Sequence, residues 1–188
     1  YAKDAAVFVS NTVFSLNHTD DRGGNGYGAG LYLENGSATV VHCSFIDNEF
    51  LTQLSYNQFG AGLYSKNVDP LVLRDCLFSG HYIEQPQPVD RATINIEGGN
   101  NILENIVVTN SSNSSGMRLI DTNVSLTDSL VAFNDLYGLV VSGGNVQIAR
   151  TALNDNLGTA AIETGSAHAN TTVSFTNVLV AGNTGHGI

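Results

Sequence analysis

The sequence predicts a right-handed parallel β-helix, a solenoid of about seven stacked coils folded as one elongated domain over residues 1–188. Three observations predict it. An apolar residue followed three places later by Asn recurs along the whole chain, fixed apolar columns precede each such anchor, and Gly-led apolar segments lie between anchors. Recurrence at a period of 20 to 50 residues is the mark of repeat architectures.

The anchor motif stands at Phe14–Asn17, Phe45–Asn48, Val107–Asn110, Val131–Asn134, Leu153–Asn156 and Val180–Asn183, with Phe78–His81 as a degenerate copy. Steps between anchors are 31, 33, 29, 24, 22 and 27 residues, an irregular period of one coil. Five residues ahead of every anchor stands an apolar residue: Val9, Val40, Leu73, Ile102, Leu126, Ile148 and Phe175. Seven ahead stand Val7, Ala38, Leu71, Asn100, Val124, Val146 and Val173, so the two columns give the period-two alternation of a strand, with Asn100 dissenting. Three ahead the residue is usually polar (Asn11, His42, Asp75, Glu104, Asp128, Arg150, Asn177), which suits a bend, because short polar side chains tolerate left-handed geometry.

Between anchors, Gly leads alternating apolar residues at Gly30-Leu31-Tyr32-Leu33, Gly62-Leu63-Tyr64, Gly116-Met117-Arg118-Leu119 and Gly138-Leu139-Val140-Val141. Ile94-Asn95-Ile96 and Ala160-Ala161-Ile162 fill the same slot without the Gly, and Gly187-Ile188 begins another. Each coil therefore offers at least two strands. No window keeps apolar residues at i, i+3, i+4 and i+7, so amphipathic helices are not expected. The longest loop, 79–89 with Pro86 and Pro88, lies between coils.

Phe-x-x-Asn combined with Gly-Ala-Gly-Leu-Tyr resembles the repeats of right-handed β-helix surface proteins, the group of polymorphic outer-membrane proteins and autotransporter passengers. Their coil is shared with the pectate-lyase-like superfamily of polysaccharide-active β-helices. The resemblance covers nearly the whole chain and implies a fold; function has to be argued from sites.

Composition agrees with an exposed scaffold. Apolar residues make up 42% and charged residues 13%, and 21 Asn, 16 Ser and 15 Thr build turns and outer strand positions from neutral polar groups. The net charge of −10 argues against nucleic acid, anionic membrane surfaces and polyanionic substrates, which want basic grooves. Neutral glycans or divalent cations suit it better, although no resident metal or other cofactor is expected. No 18-residue apolar span exists, so a membrane-spanning segment is not expected. The chain starts without Met and stops as another coil begins, which reads as a section of a longer solenoid whose neighbours are further coils or copies of itself end to end.

Cys43 and Cys76 both stand two residues before an anchor Phe, in the same column on successive coils. Stacked strands hold Cα atoms at disulfide distance, so a bridge, a ladder of free thiols among small residues and, least of all, a metal site stay open. Six sequons begin at Asn17, Asn35, Asn110, Asn113, Asn123 and Asn170. In a secretory setting Asn110, Asn113 and Asn170 are the expected acceptors.

Catalytic signals are weak. Gly185-His186-Gly187 is similar to the Gly-His-Gly of polygalacturonases, whose His neighbours paired aspartates, but the same slot reads Gly28-Ala29-Gly30 and Gly60-Ala61-Gly62 elsewhere. The companion Asp20-Asp21 lies seven coils away, about 30 Å along the axis and too far for glycoside hydrolysis. Arg74 and Arg150 read as bend residues pairing with Asp75 or Asp155, and Arg91 beside Asp90, near Glu84 and Glu97, reads as cover for a coil junction. No catalytic residue is assigned. Tyr32 and Tyr64 share an outward column and offer a surface for a sugar ring or a partner, widened by Tyr27, Tyr56 and Phe59. The expected function is a non-catalytic extracellular structural or adhesive element of a surface protein or appendage. A polysaccharide-cleaving or epimerising enzyme is the alternative.

Overall fold

The computed structural model describes residues 1–19, 26–51, 58–84, 91–164 and 170–187. These residues are all-β. Seventeen strands join into one parallel sheet that winds nearly closed around an apolar interior, a solenoid-like form. Asp20, Asp21, Tyr56, Pro86, Pro88 and Asp90 lie outside the described residues, as do residues 85–89 of the 79–89 loop.

Each repeat contributes to three columns of strands. The first column holds Leu63–Lys66, Ala92–Glu97, Ser115–Ile120, Leu139–Ser142 and Ile162–Thr164, together with the first half of Leu31–Val41. The second runs through Ala2–Ser10, the second half of Leu31–Val41, and on to Asn123–Thr127, Gly144–Ala149 and Thr171–Thr176. The third stacks Val13–Ser15, Ser44–Ile46, Leu130–Ala132, Ala152–Asn154 and Leu179–Ala181, while Leu71–Ser79 and Asn100–Thr109 each serve the second and third columns. Short parallel strands His18–Thr19, Glu49–Phe50 and Tyr82–Ile83 add a fourth side early in the chain. They belong to the longer early repeats, where equivalent residues are separated by 31 and 33 positions against 22 or 23 from Ser111 through Asn134 to Asn156.

Three corners per repeat adopt left-handed backbone. The first corner holds Asn11, His42, Asp75, Asn105, Asp128, Arg150 and Asn177, and the second Leu16, Asp47, Gly80, Asn110, Phe133, Asp155 and Gly182, all at φ between 49° and 74°. The third is made by Asp4, Asn35, Asn67, Gly98, Asp121, Gly143 and Asn170. Asn, Asp and Gly enter this region at little cost, which is why they fill most of these places. Leu16, Phe133 and Arg150 do not enter it readily; the neighbouring repeats impose the geometry on them.

The register corrects one expectation. Phe78 pairs with Val108, and Val108 with Val131, so the fourth anchor is Val108 in place of Val107. A one-residue slip exchanges the two faces of a strand. Leu103 therefore points inward where Ile102 was expected, and Ile102 is 41% exposed. Asn101 takes the inward place assigned to Asn100, with its amide nitrogen donating to the Gly98 carbonyl at 3.0 Å and to Thr122 Oγ1 at 2.7 Å. The bend residue is Asn105 in place of Glu104.

The conserved third place after the anchor is a buried ladder. Asn156 Oδ1 accepts from the Asn134 backbone N–H at 3.2 Å and from Asn134 Nδ2 at 2.9 Å. Asn156 Nδ2 donates in turn to the Val131 carbonyl and to Asn183 Oδ1, both at 3.1 Å. Asn17 and Asn48 repeat the arrangement. Between them and Asn134 the ladder is filled by His81 and, in the corrected register, by Ser111, both buried. Asn48, Asn134 and Asn156 are buried as well, and burying an amide is tolerable only with its hydrogen bonds made.

This ladder explains the glycines. A Cβ on Gly30, Gly116 or Gly138 would sit 3.3, 3.1 and 3.0 Å from the amide nitrogens of Asn48, Asn134 and Asn156, and one on Gly30 would meet the Gly62 carbonyl at 2.4 Å. Where the ladder holds the smaller Ser111, the glycine slot holds Thr93, whose hydroxyl donates to Ser111 Oγ at 2.6 Å. Volume moves from one slot to the other while the interior stays filled. Beside it the anchors stack: Phe14 on Phe45 at 4.7 Å and Phe45 on Phe78 at 4.4 Å, with ring planes nearly parallel.

Cys43 and Cys76 are buried free thiols. Their column explains them. Thr12, Cys43, Cys76, Ser129 and Thr151 each donate a hydroxyl or thiol hydrogen to the carbonyl two residues earlier, across the first corner, at 2.7 to 3.2 Å. The cysteines do the work of Ser and Thr there, and burial pushes the Cys76 thiol up to about 11.

Candidate functional site

The aromatic residues converge on the first strand column. Tyr32 pairs with Tyr64, and Asn95 and Arg118 continue the row. The ring centroids of Tyr32 and Tyr64 lie 5.1 Å apart. In front of them a short parallel pair, Gly26–Tyr27 with Gln58–Phe59, carries two more rings. Tyr27 stacks on Tyr64 at 5.0 Å and on Tyr32 at 5.5 Å, and Phe59 stacks on Tyr64 at 5.7 Å. Tyr1 adds to Tyr32 at 4.7 Å, and the Arg118 guanidinium lies 5.6 Å from the Phe59 centroid. Cation and aromatic face attract at that separation.

The sequence builds this patch twice, as Tyr27-Gly-Ala-Gly-Leu-Tyr32 and Phe59-Gly-Ala-Gly-Leu-Tyr64. Gly28 and Gly60 sit at φ 54° and 66°, and a Cβ on either would meet a backbone carbonyl within 2.4 Å. Only glycine lets the chain reverse so sharply, and the reversal lays each leading aromatic over the tyrosines. The duplicated hexapeptide is thus the signal for Tyr27 and Phe59 as principal members.

This corrects the expectation for Tyr64. It is 2% exposed beneath Tyr27 and Phe59, so its ring is unavailable to a ligand and Tyr32 is half-buried. The rings left accessible are those of partly exposed Tyr27 and Phe59, with Tyr1 73% exposed at the edge. Glu34 organises that edge, accepting from the Tyr1 hydroxyl at 2.8 Å, Lys3 Nζ at 3.0 Å and the Tyr32 hydroxyl at 3.2 Å. Those donors hold its carboxyl below the usual range. Burial and the Glu34 hydrogen bond push the Tyr32 phenol up to about 12, and burial with the nearby Glu97 raises Tyr64 as well. Both phenols stay protonated, leaving flat neutral faces between the Lys3–Glu34 and Arg118–Glu97 ion pairs.

Other charged candidates pair between repeats. Arg74 meets Glu104 at 2.8 Å and Arg150 meets Asp128 at 2.6 Å, in place of the Asp75 and Asp155 partners expected. Asp75 accepts from Asn105 at 2.7 Å and lies 3.4 Å from His42. Arg91 is buried and donates to the Asn113 carbonyl at 3.2 Å, and Glu97 faces Asn95 and Arg118. His186 is exposed and pairs with Ala160 as a backbone bridge. Among the described residues no group of three His, Cys, Asp or Glu is placed to hold a metal ion. Among the described residues no helix is long and apolar enough to cross a membrane.

The sequons divide by their amides. Asn17 Nδ2 is committed to Asn48, Asn35 Nδ2 to Asp4 at 2.7 Å, and Asn123 Nδ2 to Asn100 at 3.0 Å. Asn110, Asn113 and Asn170 are exposed at corners. Secretion from a eukaryotic host is expected to load glycans on these three and to leave Asn17, Asn35 and Asn123 largely bare. Glycopeptide mapping checks this; the reverse occupancy refutes it.

No protein family matches the sequence, and neither a curated protein nor a solved structure matches it.

Proposed function

We propose that this chain is a non-catalytic extracellular scaffold or adhesive element, a right-handed β-helix of seven coils like the surface-protein repeats it resembles. Its aromatic patch is the contact for a neutral glycan or a partner surface. Right-handedness accords with the strong chirality of crossovers between parallel strands. The observation that carries the reading is where the polar side chains go. The Asn ladder, the corner ion pairs and the Asx pairs all join residues 22 to 34 positions apart, from one repeat to the next. Groups that an active site would gather on one repeat are instead distributed along the stack. The partners proposed are neighbouring coils, in this chain or in a copy, and a neutral glycan.

The test is retention on immobilised neutral polysaccharides. Replacing Tyr27 and Phe59 together by Ser removes two stacking faces and is expected to weaken retention about tenfold. The conservative pair Tyr27→Phe and Phe59→Tyr keeps both faces and should bind like the parent. Equal retention by the serine variant would remove the patch from the reading, and release of new reducing ends from any polysaccharide would replace the scaffold by an enzyme.

A further inference from the structure

A second surface lies around the third corner from the aromatic patch, on the outer face of the second strand column. A shallow groove of about 620 Å³ runs there across several repeats, from Pro70 to Ser174. One wall is an outward amide ladder. Asn145 Nδ2 donates to Asn123 Oδ1 at 3.1 Å, Asn123 Nδ2 to Asn100 Oδ1 at 3.0 Å, and Asn100 Nδ2 to Asp69 Oδ2 at 3.1 Å. Beside it a second row stacks Ile102, Ser125, Gln147 and Ser174 in register.

We propose that this groove binds a neutral, extended glycan chain lying along the solenoid axis. The inference rests on the glycan reading of the function and adds a second site for the same ligand class. Charge carries the choice of occupant. Apart from Asp69, whose carboxylate is tied to Asn100 at the early end of the ladder, the groove is lined by residues that carry no charge, in a chain of net charge −10. A polyanion is repelled by the rest of the surface, whereas a neutral chain brings no charge to desolvate. The donor pattern fits as well. A carboxamide has two N–H donors and an oxygen with two lone pairs. The ladder uses one N–H each of Asn123 and Asn145, leaving a donor and acceptor capacity at each repeat, the combination a sugar hydroxyl answers. Stacked strands place these groups roughly 4.8 Å apart, a spacing on the order of one sugar unit, and mutual bonding fixes them before a ligand arrives. Half-exposed Ile102 and Pro70 offer apolar contact for ring C–H faces.

Affinity electrophoresis of the whole chain tests it, using bacterially produced protein so that the Asn123 sequon stays unmodified. Gels cast with a dissolved neutral β-glucan or mannan are expected to retard the protein relative to a glycan-free gel, and polygalacturonate is not. The variant Asn123→Asp/Asn145→Asp, nearly isosteric and exposed, loses two ladder hydrogen bonds and sets two carboxylates side by side, so its Tm should fall by about 5 °C with its circular dichroism unchanged, while its apparent Kd for the retarding glycan rises at least tenfold. A parent chain unretarded by any neutral glycan tested overturns the proposal, and so does a doubly substituted chain retarded like the parent. Loss of all retention in Tyr27→Ser/Phe59→Ser with none lost in the aspartate variant leaves the patch standing and removes the groove; the opposite pattern keeps the groove and removes the patch.

Discussion

Asn156→Ala will cost the fold about 4 kcal/mol, enough to unfold a chain of ordinary stability at modest temperature. Asn156 is buried and fully used: it accepts from Asn134 twice and donates to Val131 and Asn183. Alanine leaves two Asn134 donors and the Val131 carbonyl without these partners, each a desolvation loss of about 1 to 3 kcal/mol before relaxation, while Asn183 Oδ1 keeps its bond from the backbone N–H of residue 156. Chemical denaturation followed by circular dichroism measures it, and a loss under 1 kcal/mol would show that the ladder is incidental to stability. The reciprocal relation between glycine and ladder slots supplies a sharper check. Gly116→Thr should destabilise strongly, because even its Cβ would lie 3.1 Å from the Asn134 amide nitrogen, the contact a smaller ladder residue relieves, besides 2.4 Å from Val131 Cγ1 and 2.7 Å from the Gly138 carbonyl. Adding Asn134→Ser recreates the Thr93–Ser111 arrangement and should recover at least 1 kcal/mol. Simple additivity of the two losses would refute the coupling.

His81→Asn is expected to remove most of the protein's sensitivity to mild acid. His81 stands in the Asn ladder with Nδ1 3.2 Å from the Asn48 amide nitrogen, while Nε2 is buried without a partner. Burial brings its pKa from the ordinary 6.5 down to about 4, against the opposing influence of the Asn48 and Phe45 backbone and the Asp47 carboxylate. The unfolded chain therefore takes up a proton near pH 6.5 that the folded chain refuses until about pH 4. The linkage makes stability fall as pH drops through that window, by roughly 3 kcal/mol, and level off below it. Asparagine in this place can accept from the Asn48 N–H and donate to the Phe45 carbonyl, as its counterparts do. The variant should be more stable than the parent at every pH and nearly flat from pH 6.5 to 4. Parallel stability curves for the two proteins would refute the assignment.

The architecture was legible because a stacked repeat writes the same chemistry at the same place. The apolar columns, the bend column and the Gly slots all reappear in the structure. The fourth repeat was misread by one residue for a physical reason. Val107 and Val108 are both apolar, Asn110 imitates a ladder residue, and the true ladder member is a serine compensated by Thr93, a long-range trade that no local pattern displays. The patch was half legible. Tyr32 and Tyr64 announced themselves by alternation, but alternation says which face a side chain takes and nothing about what folds back over that face. The glycine reversal that brings Tyr27 and Phe59 over Tyr64 was written in the duplicated hexapeptide. The cysteine column needed the corner geometry, since a thiol standing in for a hydroxyl becomes visible only when its carbonyl acceptor is seen.

The interruption of the Asn ladder also bears on mechanics. Interior amides donate toward later repeats, from Asn17 to Asn48 and from Asn134 through Asn156 to Asn183, so a pull along the axis loads them in series. From His81 to Ser111, where the amide-to-amide bonds lapse and the Phe stack ends, that load passes to the main chain, which pairs Leu71–Ser79 with Asn100–Thr109 through eight residue pairs. Axial cohesion there belongs to the backbone ladder, and the side chains stacked inside it become spectators.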